Sequence, residues 1–343
     1  MTHSLPSRHV DRPRSASARG ATIWSPMVIA AWVCLAAGTV GLAVEEAIVR
    51  IVRGNRRELE WLSDAVISLA VAGIAYLWLH LRVSRMRLLA LEREQIVIGE
   101  QLRLAAEIQR NLLPDVPVST PGYSWAARMM PAGLIGGDFY DFIQTADGAV
   151  VAVLADVSGK GIPAALILSS LKTLFRSTVR ETTDPAAIAG RISAALFEEH
   201  SGSPYATGII ARFETAPVRL TYVNAGHPPG CLFHDGTVMS ELASGGPPLG
   251  LFPEAGYAAA AVTLNANDIG VLVTDGITEA VDAWPTVLGR LLSGSPERSG
   301  AATLPAEVCG SLLRAAADGP GPAGVPDWQD DRSVLVFRIE ADV

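Results

Sequence analysis

VVAVLADVSGKGIPAAL, residues 150–166, holds a strand, a turn and a helix start in one stretch. Short apolar runs of this kind, rich in Val, read as strands, here over about 149–156. The run ends on Asp156. A carboxylate at the end of a buried strand is costly unless something compensates its charge. Gly159 and Gly161 let the backbone approach a ligand closely, and Pro163 falls early in the first turn of a helix over about 162–180. The stretch therefore predicts a strand and a helix with an acidic turn between them.

Three more stretches share this grammar. Gly136-Gly137-Asp138-Phe139-Tyr140-Asp141 leads a strand, Thr274-Asp275-Gly276 follows the run IGVLV, and Asp330-Asp331-Arg332-Ser333 leads VLVF. One Asp-Gly pair is most often just a turn. Four acidic clusters beside apolar strands point instead to carboxylates gathered for hard divalent cations, which take oxygen ligands from Asp, backbone carbonyls and water. Further strands are expected near 123–130, 138–144, 206–213, 218–224, 269–274 and 333–339. Helices are expected near 185–200 and 304–317, with a Pro/Gly-rich loop over 318–326. The spacing of the strands argues for an antiparallel α+β domain.

AAEIQRNLLP, GGDFYDF, ADVSGKGIPAAL, NAGHPPG, PPLGL, TDGITEA and DDRSVLVF occur in this order over residues 105–340. In that order they resemble the SpoIIE/RsbU branch of the PPM family of metal-dependent serine/threonine phosphatases. The resemblance implies an antiparallel β-sandwich flanked by helices, with two Mn2+ or Mg2+ ions at one edge. It implies that Asp138 and Asp156 lie around a shared water and that the Val157 carbonyl, Asp275 and Asp330 complete the ligands. Asp331 is adjacent to Asp330 and can fill the same position. It further implies hydrolysis of phosphoserine or phosphothreonine by a metal-activated water, on a regulatory protein such as a STAS-type anti-sigma-factor antagonist. Gly137, Gly159, Gly276 and Asp141 read as supports of the site, with Asp141 alternatively capping local backbone. His227 reads either as a proton donor or as a hydrogen-bonded turn residue. Residues 131–137 contain no Arg to hold phosphate, and VDAWPTVLGRLL after residue 280 lacks an aromatic-glycine stretch usual in the family.

Upstream, residues 83–113 contain no Pro and are rich in Leu, Glu, Arg and Gln, all good helix formers. Leu88, Leu91, Gln95, Ile98, Leu102, Ala105, Gln109 and Leu112 make a heptad seam, which reads as a homodimeric coiled coil or as a helix packed on its own domain. Residues 21–44 carry no charge, and 65–81 form a second apolar run, so two transmembrane helices are expected. Arg residues flank both runs on the outer sides, and Arg50, Arg53, Arg56 and Arg57 also lie in the loop between them; the catalytic part is expected in the cytoplasm. The expected organisation is a disordered basic segment 1–20, a multi-pass membrane anchor 21–82, a linker helix 83–114 and a phosphatase domain 120–343.

The formal net charge is −8. Residues 1–112 hold 14 basic and 10 acidic residues, and the remainder holds 13 basic and 25 acidic ones. That acidic half excludes nucleic acid, which requires a basic footprint. Three scattered cysteines make neither a disulfide framework nor a zinc site. A catalytically silent membrane scaffold for a phosphoprotein is the competing reading, and the concentration of carboxylates counts against it.

Overall fold

The computed structural model describes residues 38–49, 57–114, 120–293, 304–319 and 330–340. The basic segment 1–20, most of the first apolar run and residues 320–326 of the Pro/Gly-rich stretch lie outside them. The chain divides into two units, Met1–Glu94 and Gln95–Val343.

The first unit is helical where described. A stretch over residues 38–49 (α1) is followed by the start of α2, Arg57–Leu112. Among the described residues one helix, Asp64–Leu112, is long and apolar enough to cross a bilayer, with an 18-residue stretch of mean hydropathy 1.7. The second apolar run and the linker were expected as separate helices. They form one continuous helix, in which no Pro occurs.

The second unit is a four-layer sandwich. One sheet has the order β1-β10-β9-β6-β7: Tyr123–Met130, Arg332–Ile339, Ile269–Val273, Gly230–His234 and Thr237–Leu242. The other has the order β2-β3-β4-β5-β8: Asp138–Gln144, Val150–Val157, Ala206–Thr215, Val218–Ala225 and Ala260–Thr263. All strand pairs are antiparallel. Helices α3 (Ile162–Val179) and α4 (Pro185–His200) cover the second sheet, and α5 (Asp275–Thr278), α6 (Trp284–Ser293) and α7 (Leu304–Asp318) cover the first.

Three cores follow from this layering. Trp125, Leu154, Phe213 and Phe337 fill the space between the sheets. Phe139, Val153, Leu168 and Ile188 join the second sheet to α3 and α4. Val271, Val336, Leu288 and Leu312 do the same for the first sheet. A strand covered on both faces needs apolar residues on both, which is why VVAVLA does not alternate. Parity then sorts the side chains. Along β2, Tyr140 and Phe142 face the other sheet while Phe139 faces the helices.

The expected strands lie within about two residues of their observed bounds, whereas β6, β7, β8, α5 and α6 were not anticipated. The β6–β7 turn carries Asp235 and Gly236 at φ 48° and 75°, the conformation an Asp-Gly hairpin turn requires. α6 occupies the stretch VDAWPTVLGRLL and buries Trp284 and Leu288.

Candidate metal centre

Strand direction brings the four acidic clusters to one end of the sandwich. Asp138 opens β2 and stands directly opposite Asp156 near the end of β3. Both share the parity of Tyr140 and Leu154, so both side chains point between the sheets. Asp275 follows β9, and Asp330-Asp331 precedes β10, its antiparallel neighbour. Thr207 continues the row on β4, opposite Asp156.

Two contacts tie the sheets together at this end. The Thr274 hydroxyl donates to Asp138 Oδ2 at 2.9 Å and accepts from the Ser333 amide at 2.9 Å. Thr274 sits at the N-cap of α5, yet its side chain makes no cap bond because Asp138 engages it. Asp331 is the second tie. Its Oδ1 accepts from the Ala132 amide at 2.7 Å and its Oδ2 from the Gly137 amide at 2.5 Å.

The electrostatics are those of crowded like charges. Burial, then Asp156, holds the Asp138 carboxyl well above the usual carboxylate range. Burial, then Asp275, Asp330 and Asp331, pushes Asp156 up to about 7. Burial and Asp330 raise Asp275. Lys160 pairs with Asp330 at 3.1 Å. Asp138 is 1% exposed and its Oδ1 is buried with no hydrogen-bond partner.

The close approach of the backbone explains two of the glycines. A Cβ at Gly276 would stand 2.0 Å from the Asp331 carbonyl oxygen, and one at Gly137 would stand 2.9 Å from the Val157 carbonyl oxygen. Gly159, at φ 101°, turns the loop after Asp156.

Three readings that were left open narrow. Both carboxylate oxygens of Asp331 hold the loop before β2, whereas Asp330 accepts from the Asp331 amide through Oδ1 and pairs with Lys160 through Oδ2. Asp141 does not support the centre. It lies three residues from Asp138 on a strand and therefore on the opposite face, where Arg176 of α3 grips it at 2.5 and 2.7 Å. His227 is a buried turn residue. Asn224 bonds its amide and its carbonyl, Nδ1 meets Thr207 Oγ1 at 2.8 Å, and burial pulls its pKa down to about 3. The ring is neutral at physiological pH and holds no imidazolium proton to donate.

Gln109 had read as a polar position in a seam. It is buried, donates Nε2–H to the Gly136 carbonyl at 2.5 Å and accepts from the Gly136 amide at 3.0 Å. Lys172 of α3 bonds the Leu112 carbonyl at the end of α2. A lone Gln in AAEIQRNLLP gives no sign of these partners, because they are distant in sequence.

The donor set suits hard divalent cations. Every candidate ligand is an oxygen, and the buried, unpartnered Asp138 Oδ1 has the character of a ligand atom. Among the described residues, no three His, Cys, Asp or Glu side chains close into a ready coordination shell.

The family model described as stage II sporulation protein E (SpoIIE) matches residues 146–340. Curated relatives include the phosphoserine phosphatase RsbU of Bacillus subtilis (strain 168), 28% identical over 183 residues, covering 53% of this chain and 54% of RsbU. The phosphoserine phosphatase RsbP of the same organism is 27% identical over 183 residues, covering 52% of this chain and 45% of RsbP. The chain thus spans about half the length of the curated relatives it matches. Among solved structures, the SiaA-PP2C domain of Pseudomonas aeruginosa aligns with TM-score 0.59 and 22% identity, covering 72% of this chain and 98% of that domain. The RsbU and RsbW domains of a Mycobacterium tuberculosis protein align with TM-score 0.53 and 24% identity, covering 65% of this chain and 62% of that one. These structural likenesses establish the two-sheet fold.

Proposed function

The chain belongs to the stage II sporulation protein E (SpoIIE) family, and on that premise we propose that it is a membrane-anchored, metal-dependent protein serine/threonine phosphatase. What supports the reading most is convergence. Four acidic segments up to about 190 residues apart in the chain meet at one end of the sandwich, and their carboxylates raise one another's pKa. So much uncompensated charge is unfavourable for folding and is explained by a ligand that offsets it.

In this reading Asp138, Asp156, Asp275 and Asp330, with the Val157 carbonyl, hold two divalent cations, Mn2+ or Mg2+. Bound there, the cations supply activation of water at neutral pH and offset charge on a phosphoryl group. The chain's own residues keep the ligands in place. Thr274 orients Asp138, and Asp331 fixes the loop that carries Gly137. Neutral His227 packs behind Thr207 in the same cross-strand row. No side-chain nucleophile takes part.

The substrate is a phosphoserine or phosphothreonine on a regulatory protein, and the names of the curated relatives, both phosphoserine phosphatases, support the phosphoserine part. The apolar part of α2 supports an anchor spanning the membrane, with the catalytic unit in the cytoplasm. The organisation is a basic segment 1–20, an anchor 21–82, a linker helix 83–114 and a catalytic domain 120–343. Leu88, Leu91 and Ile98 are exposed and support a homodimer through the linker.

The test is phosphate release from a phosphoserine peptide by the full-length protein in detergent, with Mn2+ or with chelator, beside Asp156→Asn. Release that requires Mn2+ and falls at least about 100-fold in the variant is expected. Mn2+-independent release, or full activity in Asp156→Asn, would refute the mechanism.

A further inference from the structure

A groove opens beside the carboxylates. It encloses about 380 Å3, walled by Leu102 of α2, Leu134 and Ile135 of the loop before β2, and Ile162 at the start of α3. The charged residues on its lining are Lys160 and Asp331, both already part of the carboxylate end. Leu134 and Ile162 remain 52% and 53% exposed, and Leu166, one turn along α3, 66%. Eight large apolar side chains are well exposed among the described residues after 120, and four of them, these three with Met130, cluster at this end. Apolar exposure gathered at one place marks a contact surface rather than scatter.

The groove is also prebuilt. Asp331 holds the amides of Ala132 and Gly137, and Gln109 holds both backbone groups of Gly136. A wall fixed at both ends loses little entropy when something docks against it.

We propose that this groove seats an apolar side chain next to the phosphorylated residue of a protein substrate, so that the enzyme selects phosphoserine or phosphothreonine flanked by Leu, Ile, Val or Met. The inference rests on the phosphatase reading. Three features choose this occupant. The groove shares Lys160 and Asp331 with the carboxylate end, so its occupant stands close to the phosphorylated residue. A groove of about 380 Å3 takes one or two side chains, whereas a stable subunit interface buries about 800 Å2 per partner. Finally, residues 113–343 hold 13 basic and 25 acidic residues, which disfavours acidic flanks and leaves apolar contact to supply affinity.

The test uses the full-length protein in detergent with Mn2+ and two phosphoserine peptides that differ only in the flanking residues, Leu or Gly. A second pair carries a non-hydrolysable phosphonate and a fluorescent label. The Leu peptide is expected to show kcat/KM about 10-fold higher, and its phosphonate a tighter Kd in the same sense. Leu134→Glu combined with Ile162→Ala should bring both ratios near one, and Met239→Glu on the distant β7 should leave them as they are. Both groove side chains are exposed, so their replacement spares the core. Equal ratios in the wild type overturn the proposal, as does a preference that survives the double substitution. A flat ratio with Leu134→Glu turning a dimer into a monomer in sedimentation assigns the groove to a second copy and overturns it as well. Tighter binding of the Leu phosphonate with no turnover of any phosphoester refutes the phosphatase reading and keeps the groove.

Discussion

At the level of single residues, Asp156 contributes to how the cation-free protein responds to pH. Its carboxyl ordinarily titrates at 3.8 and is pushed up to about 7 by burial and by Asp275, Asp330 and Asp331. Between those values the folded chain holds a proton that the unfolded chain has released, so stability rises as pH falls from above 7 toward 3.8. In chelator, the thermal midpoint should therefore be higher at pH 5.5 than at pH 8. Asp156→Asn should raise the pH 8 value and flatten the difference. Mn2+ should act in the opposite sense and stabilise most at pH 8, because ligands must be ionised to bind it. A midpoint in chelator that falls on acidification would contradict this account. That these aspartates gather was legible in the sequence, since each borders an apolar strand. The distinct tasks of Asp330 and Asp331 were not, because they depend on the amides of Ala132 and Gly137 some 194–199 positions away. Asp141 could have been excluded by counting alone, because three steps along a strand reverse the face.

Among elements, the end of α2 matters most. The seam was open to two readings, and its C-terminal part takes the packed one: Ala106 and Gln109 are buried and Leu102, Ala105 and Leu112 half-buried, whereas Leu88, Leu91 and Ile98 are exposed. Heptad spacing reveals an apolar stripe but not its partner. Gln109 joins this helix end to the loop before Asp138. Gln109→Ala removes two bonds to Gly136 and should lower stability by about 1–3 kcal/mol. Hydrogen exchange should then quicken at the amides of 132–137, with no change at β4. Uniform loss of protection would mean that the residue merely supports the whole fold. The strands covered on both faces were easy to recognise from their unbroken apolar runs. The edge strand β8 was not, because three of its four residues are exposed and carry little pattern.

On the scale of the molecule, the exposed part of the seam makes oligomeric state the measurable property. Leu88→Glu with Leu91→Glu should convert a dimer into a monomer in detergent sedimentation, while substitution of exposed Val238 should not. A mass unchanged by the double substitution would exclude that face. The strand order carries a different consequence, one of timing. β10 lies between β1 and β9, and Tyr123 pairs with Ile339 across more than two hundred intervening positions. The first sheet cannot close, and Asp330 cannot reach Asp138, until that strand has left the ribosome. Pairings so remote form slowly. A nascent chain thus completes the helical segment first and assembles its carboxylate end last.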